Sequence, residues 1–387
     1  MKNQWILTDV ASRTWLETFK VVPGESCQLA GSANWSIRKE RLHGGLSDGV
    51  DVVDLDNGRL SVSILPTRGM GLWRGACDGV ALGWKSPVQH PVNPAFVNAL
   101  ERDSIGWLYG FNEWLCRCGL DANGPPTGTG ADHTTLHGRI ANVPAHRVTV
   151  EIDTDGPGTL SVTGVVDETT LFGPCLRLTS TVKTTAGSNR LTIIDEITNL
   201  KASPGEVELL YHINQGAPLL GSGAKLVAPV AEMCPRNARA AEGLNSYDAY
   251  LGPTTGYAEQ VYFYDLAADA QGRTGVLLKN STGNQGLSLH WNKRQLPHFI
   301  QWKNTQAEAD GYCTGLEPST NYPNAKEYER KQGRVISLPP GETYRIEFDI
   351  AVHSSTSAVE KSGTELLALQ RGKPVIHSGP VPGLAST

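Results

Sequence analysis

Four consecutive segments alternate apolar and polar residues with a period of two: HRVTVEID (146–153), LSVTGVVDET (160–169), LRLTSTVKTT (176–185) and RLTIIDEITN (190–199). Such alternation puts one set of side chains against a core and the other toward water, as a half-buried β-sheet requires. TTAGSN between the last two segments reads as a hairpin turn. GRLSVSILPT (58–67), VELLYHIN (207–214), YAEQVYFYDL (257–266), TGVLLKN (274–280), GLSLHWN (286–292), HFIQWKN (298–304) and GRVISLPPGETYRIEFDIAVH (333–353) continue the pattern. Short strands in this number, joined by turns rich in glycine and proline, predict an all-β fold, a large antiparallel β-sandwich. No internal repeat and no interdomain linker appears, so one domain over residues 1–387 is expected.

Two regions break the alternation. Residues 86–135, with SPVQHPVNPAFVNALERDSIGW and DANGPPTGTGADH, are turn-rich and carry many polar and aromatic side chains. A loop of that length inside a compact domain usually forms a wall or lid of a binding site. The tail, about 354–387, opens with a helix candidate, AVEKSGTELLALQRG, and ends in SGPVPGLAST, which reads as loosely held.

A formal net charge of −5 argues against nucleic acid or an anionic membrane as the main partner. The seven cysteines (27, 77, 116, 118, 175, 234 and 313) form no paired CxxC set, and an odd, scattered count fits reduced thiols in a cytoplasmic protein. No segment reaches 18 apolar residues, and the first twenty residues lack the apolar stretch of a signal peptide.

Several short motifs carry groups capable of chemistry. TTLHGRIAN (134–142) contains His137 and Arg139, while RLHGG (41–45) holds a near copy centred on His43. ILPTRGMGLW (64–73) sets Arg68 before small residues, either to meet a ligand or to pair with a carboxylate. LYGFNEWLCRCGLD (108–121) crowds Asn112 and Glu113 among aromatic residues, a mixture suited to the C–H faces and hydroxyls of sugars. Trp302 in HFIQWKN adds another aromatic face. LYHINQG (210–216) places His212 and Asn214 on one side of a strand end. GLEPSTNYPNA (315–325) sets Glu317 between Leu316 and Pro318, where partial desolvation would raise its pKa toward that of a general base.

In that order, LHGR, then YHIN, then LEPSTNYP resemble the galactose mutarotase (aldose 1-epimerase) superfamily, and PTRGMGL resembles more narrowly its mutarotase-like DUF4432 branch. The resemblance spans roughly residues 45–353. It implies Glu317 as base, His212 as acid, and His137 and Arg68 as ligands of sugar hydroxyls, with no metal or organic cofactor. His137 follows Arg68, as the family order requires; His43 precedes it and reads as a turn histidine. Arg139 stands where the ordinary mutarotase has a second glycine. YHINQG replaces an HTYFN-like context, and the 86–135 region adds His90, His133 and Asn112.

The expected function is therefore acid/base chemistry on a small-molecule sugar: one group takes the anomeric proton while another protonates the ring oxygen. The same groups would also serve an epimerase, isomerase or lyase acting on a keto- or uronic sugar, or a carbohydrate-binding protein without turnover. A metal site built from His133, His137, His212 and Glu317 is a further, weaker reading, since no spacing motif supports it.

Overall fold

The computed structural model describes residues 2–24, 27–31 and 34–386. Two large sheets face one another. A ten-stranded sheet has at its centre Thr159–Thr169, Cys175–Thr185, Arg190–Asn199 and Thr343–His353. Thr159–Thr169, Cys175–Thr185 and Arg190–Asn199 alternate between buried and part-exposed residues, as the sequence predicts for a sheet with one face in the core. The second sheet has fourteen strands, running in its central part Gln260–Leu266, His298–Asn304, Cys313–Ser319, Gly205–Gln215, Leu115–Leu120 and Gly71–Cys77, all antiparallel to their neighbours. The main hydrophobic cluster fills the space between the sheets with residues such as Ile193, Phe348, Leu209 and Phe299.

The central strands of the second sheet do not alternate. Leu115–Leu120 and Cys313–Ser319 are buried at every residue, and Gly205–Gln215 at nine successive positions. They are covered on both faces, by the first sheet below and by irregular chain above. A second hydrophobic cluster marks that upper cover, with Trp107 and Phe111 packed over Leu210, Ile300 and Phe263. Double burial erases period-two alternation, which explains two corrections. The 86–135 region is not loop throughout, because it contains the strand Leu115–Leu120. Glu317, flanked by Leu316 and Pro318, lies inside the buried strand Cys313–Ser319 rather than in exposed chain.

The tail opens with the expected helix, and the rest of it is pinned rather than loosely held. The helix Thr356–Leu367 is capped by Ser355 Oγ, which accepts from the Ala358 N–H, and it packs Val359 and Leu366 against Leu277. The strand Val375–Ile376 then pairs in parallel with Val230–Pro235. Beyond it, Asn324 Nδ2 donates to Leu384 O at 2.9 Å and Arg334 Nη1 to Gly383 O at 2.6 Å. The C-terminal segment is thus held by backbone acceptors that no local sequence signal announces.

One buried ion pair ties the sheets together. Arg117 Nε and Nη2 donate to the two oxygens of Asp195 at 2.6 and 3.0 Å, across the core from the fourteen-stranded to the ten-stranded sheet. Ser180 Oγ and Met70 O accept the remaining guanidinium bonds, and Tyr211 Oη donates to Asp195 at 2.8 Å. Every member is fully or almost fully covered. Removing one partner from such a pair leaves an uncompensated charge, which costs about 3–5 kcal/mol. Arg117→Met is expected to lower stability by that amount in urea unfolding, and Arg117→Met with Asp195→Leu to recover a substantial part of it. Equal stability of Arg117→Met and wild type would show that the pair does not hold the sheets.

Candidate active site

Alternation along Gly205–Gln215 sends Tyr211 into the sandwich and His212 to the opposite, concave face. Its neighbour strand brings Glu317 alongside, with His212 Nε2 3.2 Å from Glu317 Oε1. Both side chains are nearly covered, at 7% and 4% exposure. Phe111 and Trp302 stand edge-on to the His212 ring, with centroids at 5.1 and 5.3 Å. His137 closes the group, its ring centroid 5.8 Å from that of His212 and 4.8 Å from that of Trp107.

The hydrogen bonds fix which nitrogen of each histidine carries its proton. Asn214 Nδ2 donates to the carbonyls of Glu113 and His212, so Asn214 Oδ1 is the acceptor facing His212 Nδ1 at 2.6 Å. His212 therefore carries its proton on Nδ1 and turns a bare Nε2 toward Glu317. His137 Nδ1 lies 2.8 Å from the Asn123 carbonyl and donates to it, which likewise leaves Nε2 free. Burial, reinforced by His137, lowers the His212 pKa to about 3. Burial also lowers that of His137. Glu317 moves the other way: burial, then the negative charge of Glu259, raises its pKa well above the usual carboxylate value. Both shifts favour the uncharged forms, a protonated Glu317 and a His212 with no proton on Nε2. Glu317 Oε1 has no well-oriented hydrogen-bond partner, so a buried carboxyl atom is left available to a ligand.

His137 owes its position to the backbone. Residue 137 has φ 57° and Gly138 φ 68°. A Cβ on Gly138 would lie 2.3 Å from Ala122 O and 2.5 Å from Gly119 O, so the glycine of the LHG motif is sterically required. Below it, Glu208 accepts from the Asn123 N–H at 3.1 Å and from Asn321 Nδ2 at 3.0 Å, while Asn123 Nδ2 donates to Asn321 Oδ1. This buried network holds the Asn123 carbonyl that orients His137.

The remaining sequence candidates fall into three groups. Arg68 is not positioned to meet a ligand, which corrects its expected role as a hydroxyl contact. It is 1% exposed and donates to Glu113, Val92 O, Asn142 and Gly110 O. Glu113, fully buried, answers that charge, so it too is occupied; its backbone carbonyl supports Asn214 and accepts from Trp84 Nε1. The two residues act from beneath the site, through Asn214. Arg139 is exposed, and its charge falls on the buried Glu168 rather than on the His212–Glu317 pair. Asn112 lines a neighbouring cavity bounded by Trp84. His43 is a surface histidine, 68% exposed near Glu17 and Asp48. His133 engages Ser104 Oγ through Nε2 at 2.8 Å, and among the described residues no three His, Cys, Asp or Glu side chains are grouped to hold a metal ion.

Sequence reasoning missed the charged rim. Trp302 Nε1 donates to Glu259 at 2.6 Å, and Arg236 pairs with the same carboxylate at 2.8 Å. Both charges act on Glu317 and His137. Neither belongs to a motif; only the pairing of Gln260–Leu266 with His298–Asn304 brings Glu259 beside Trp302. Among the described residues, no helix is long and apolar enough to cross a membrane.

Known structures share this architecture. A protein of Klebsiella pneumoniae subsp. pneumoniae described as a "putative aldose 1-epimerase" is 32% identical over 99% of both chains, with a TM-score of 0.93. A galactose mutarotase-like protein from Clostridium acetobutylicum aligns over 82% of this chain and 98% of its own at 15% identity and a TM-score of 0.56. Galactose 1-epimerase from Lactobacillus acidophilus NCFM aligns over 88% and 99% at 13% identity and a TM-score of 0.54. The last two establish likeness of fold alone. No curated protein matches the sequence at a significant level. The model of DUF4432, a domain of unknown function, matches residues 47–352, and with the galactose mutarotase-like sandwich around that span the chain belongs to the DUF4432 family.

Proposed function

We propose that this protein is an aldose 1-epimerase-like isomerase that opens and recloses a sugar ring by proton transfer through Glu317 and His212. The observation that carries this reading is the close approach of two covered groups of opposite acid/base character, His212 Nε2 and Glu317 Oε1 at 3.2 Å, with Glu317 Oε1 lacking a well-oriented partner. Ring opening removes a proton from the anomeric hydroxyl and adds one to the ring oxygen, so it needs a base and an acid of opposite state within reach of one substrate. Glu317 serves as base once its own proton has moved to His212 Nε2. That shift also creates the imidazolium that serves as acid, with Asn214 Oδ1 accepting the Nδ1–H throughout. His137, with a bare Nε2, accepts from a sugar hydroxyl. Phe111, Trp302 and Trp107 exclude water and offer apolar faces to the ring C–H groups.

NMR of aldoses, keto-sugars and uronates incubated in D2O with the protein tests the reading. The expected result is exchange between α and β anomers in proportion to protein concentration, without deuterium on carbon. Deuterium on carbon, a new alkene, or line broadening with no exchange would each contradict it. Glu317→Gln keeps the shape of the side chain but removes the exchangeable proton. Turnover is expected to fall about 10²–10⁴-fold with ligand still bound, His212→Gln to do the same, and the double variant to fall far short of the product. His137→Ala is expected to weaken substrate binding by about 0.5–3 kcal/mol, whereas His43→Ala leaves rate and KM unchanged.

The pair also sets the pH profile. The working state holds one shared proton, so activity is lost when a second proton binds or when the last one leaves. The acid limb is expected near the depressed value of about 3, and the alkaline limb well above the usual carboxylate range. Between them kcat forms a plateau. An acid limb at the ordinary histidine value near 6.5 would show that His212 is not held neutral.

A further inference from the structure

Beside the catalytic group, and separate from it, lies a cavity of about 490 Å3, within the usual range of small-molecule sites. Trp73, Arg74, Trp84, Lys85, Asn112 and Glu308 help to line it. A smaller space of about 200 Å3 shares Arg74, Trp84, Lys85 and Glu308. Asn112 is 3% exposed, and neither atom of its side-chain amide has a hydrogen-bond partner. A buried amide offers two donors and an acceptor, and native structures rarely leave all of them unused. Trp84 is a rigid platform: its indole N–H donates to Glu113 O at 3.1 Å, and its ring packs against Phe111 at 5.1 Å. The rim carries two cations. Arg74 lies over the Trp73 ring at 4.0 Å, and neither Arg74 nor Lys85 forms an ion pair among the described residues.

We propose that this cavity is an accessory site for an anionic saccharide, a sugar ring bearing a carboxylate or a phosphate. The ring stacks on Trp84, since a sugar's C–H face suits an aromatic surface. Arg74 and Lys85 meet the anionic group, which a guanidinium and an ammonium bind through charge-assisted hydrogen bonds. The amide of Asn112 meets a ring hydroxyl as both donor and acceptor. Glu308, the one carboxylate of the group, also has no ion-pair partner among the described residues and is placed to accept from a hydroxyl. No residue of this set contacts His212 or Glu317, so the site stands whatever reaction those residues perform.

Titration of the full-length protein with D-glucuronate, glucose 6-phosphate, D-glucose and inorganic phosphate, read by calorimetry, tests the proposal. At least one of the two anionic sugars is expected to bind more than tenfold tighter than either D-glucose or phosphate; which one does so distinguishes a carboxylate from a phosphate site. The paired substitution Arg74→Ala and Lys85→Ala, both at exposed positions, is expected to weaken that binding at least tenfold. Asn112→Ala is expected to weaken it severalfold, and His137→Ala, which weakens binding in the catalytic cleft, to leave it intact. The proposal is overturned if neither anionic sugar binds, or if inorganic phosphate binds equally well. It is also overturned if binding survives the Arg74/Lys85 change, or is weakened in His137→Ala, which would move the ligand into the catalytic cleft.

Discussion

The buried contact of Arg117 and Tyr211 with Asp195 governs the rest of the molecule. Arg117 and Tyr211 face each other across adjacent strands, and Cys116 and His212 form the next pair along. Because side chains alternate, the register that sends Arg117 and Tyr211 to Asp195 also sends His212 out to the concave face. A slip of one residue would bury His212 in the sandwich and expose the guanidinium. Such a slip would strand a charge in the core, so the ion pair selects the one register that presents His212 on the concave face. The energetic value of a buried pair is modest against an apolar replacement, and here its contribution lies in specifying register.

On the concave face, burial does the chemical work. Water would ionise Glu317 and leave His212 near its ordinary value, giving a charged pair at rest. Trp107, Phe111 and Trp302 exclude that water, and the low-polarity surroundings penalise both charges. The low-polarity pocket therefore favours the uncharged forms of both groups. The cover rests on a second buried ion pair, Arg68–Glu113, whose backbone carbonyl at Glu113 orients Asn214 and thereby His212. Two internal ion pairs thus frame one uncharged site: one fixes which face His212 occupies, and the other fixes how its ring is turned.

Much of this was legible in the sequence, for identifiable reasons. Strands with one wet face announce themselves by alternation, and Thr159–Thr169 and Cys175–Thr185 fall within a residue of the segments read from the sequence. His212, Asn214, Glu317, His137 and Trp302 were selected from short motifs, and the fold brings them to one place. Arg68 and Glu113 were selected too, but a motif records that a charge is present and not what answers it; each answers the other. Arg117 passed unnoticed because CRC offers no local hint of a partner 78 residues downstream. Glu259 and Arg236 were invisible for the same reason. The tail looked loose because its anchors, Asn324 and Arg334, lie in a distant loop and beyond the helix Lys326–Lys331.

The protonation state of His212 is the point on which the account turns. Nitrogen-15 NMR of the imidazole in the unliganded protein, assigned by comparison with His212→Gln, reads it directly. The expected spectrum shows a neutral ring with the proton on Nδ1 and a bare Nε2, unchanged from neutral pH down to the approach of the value near 3. An imidazolium at neutral pH, or a neutral ring protonated on Nε2, would contradict the one-proton pair and the mechanism built on it.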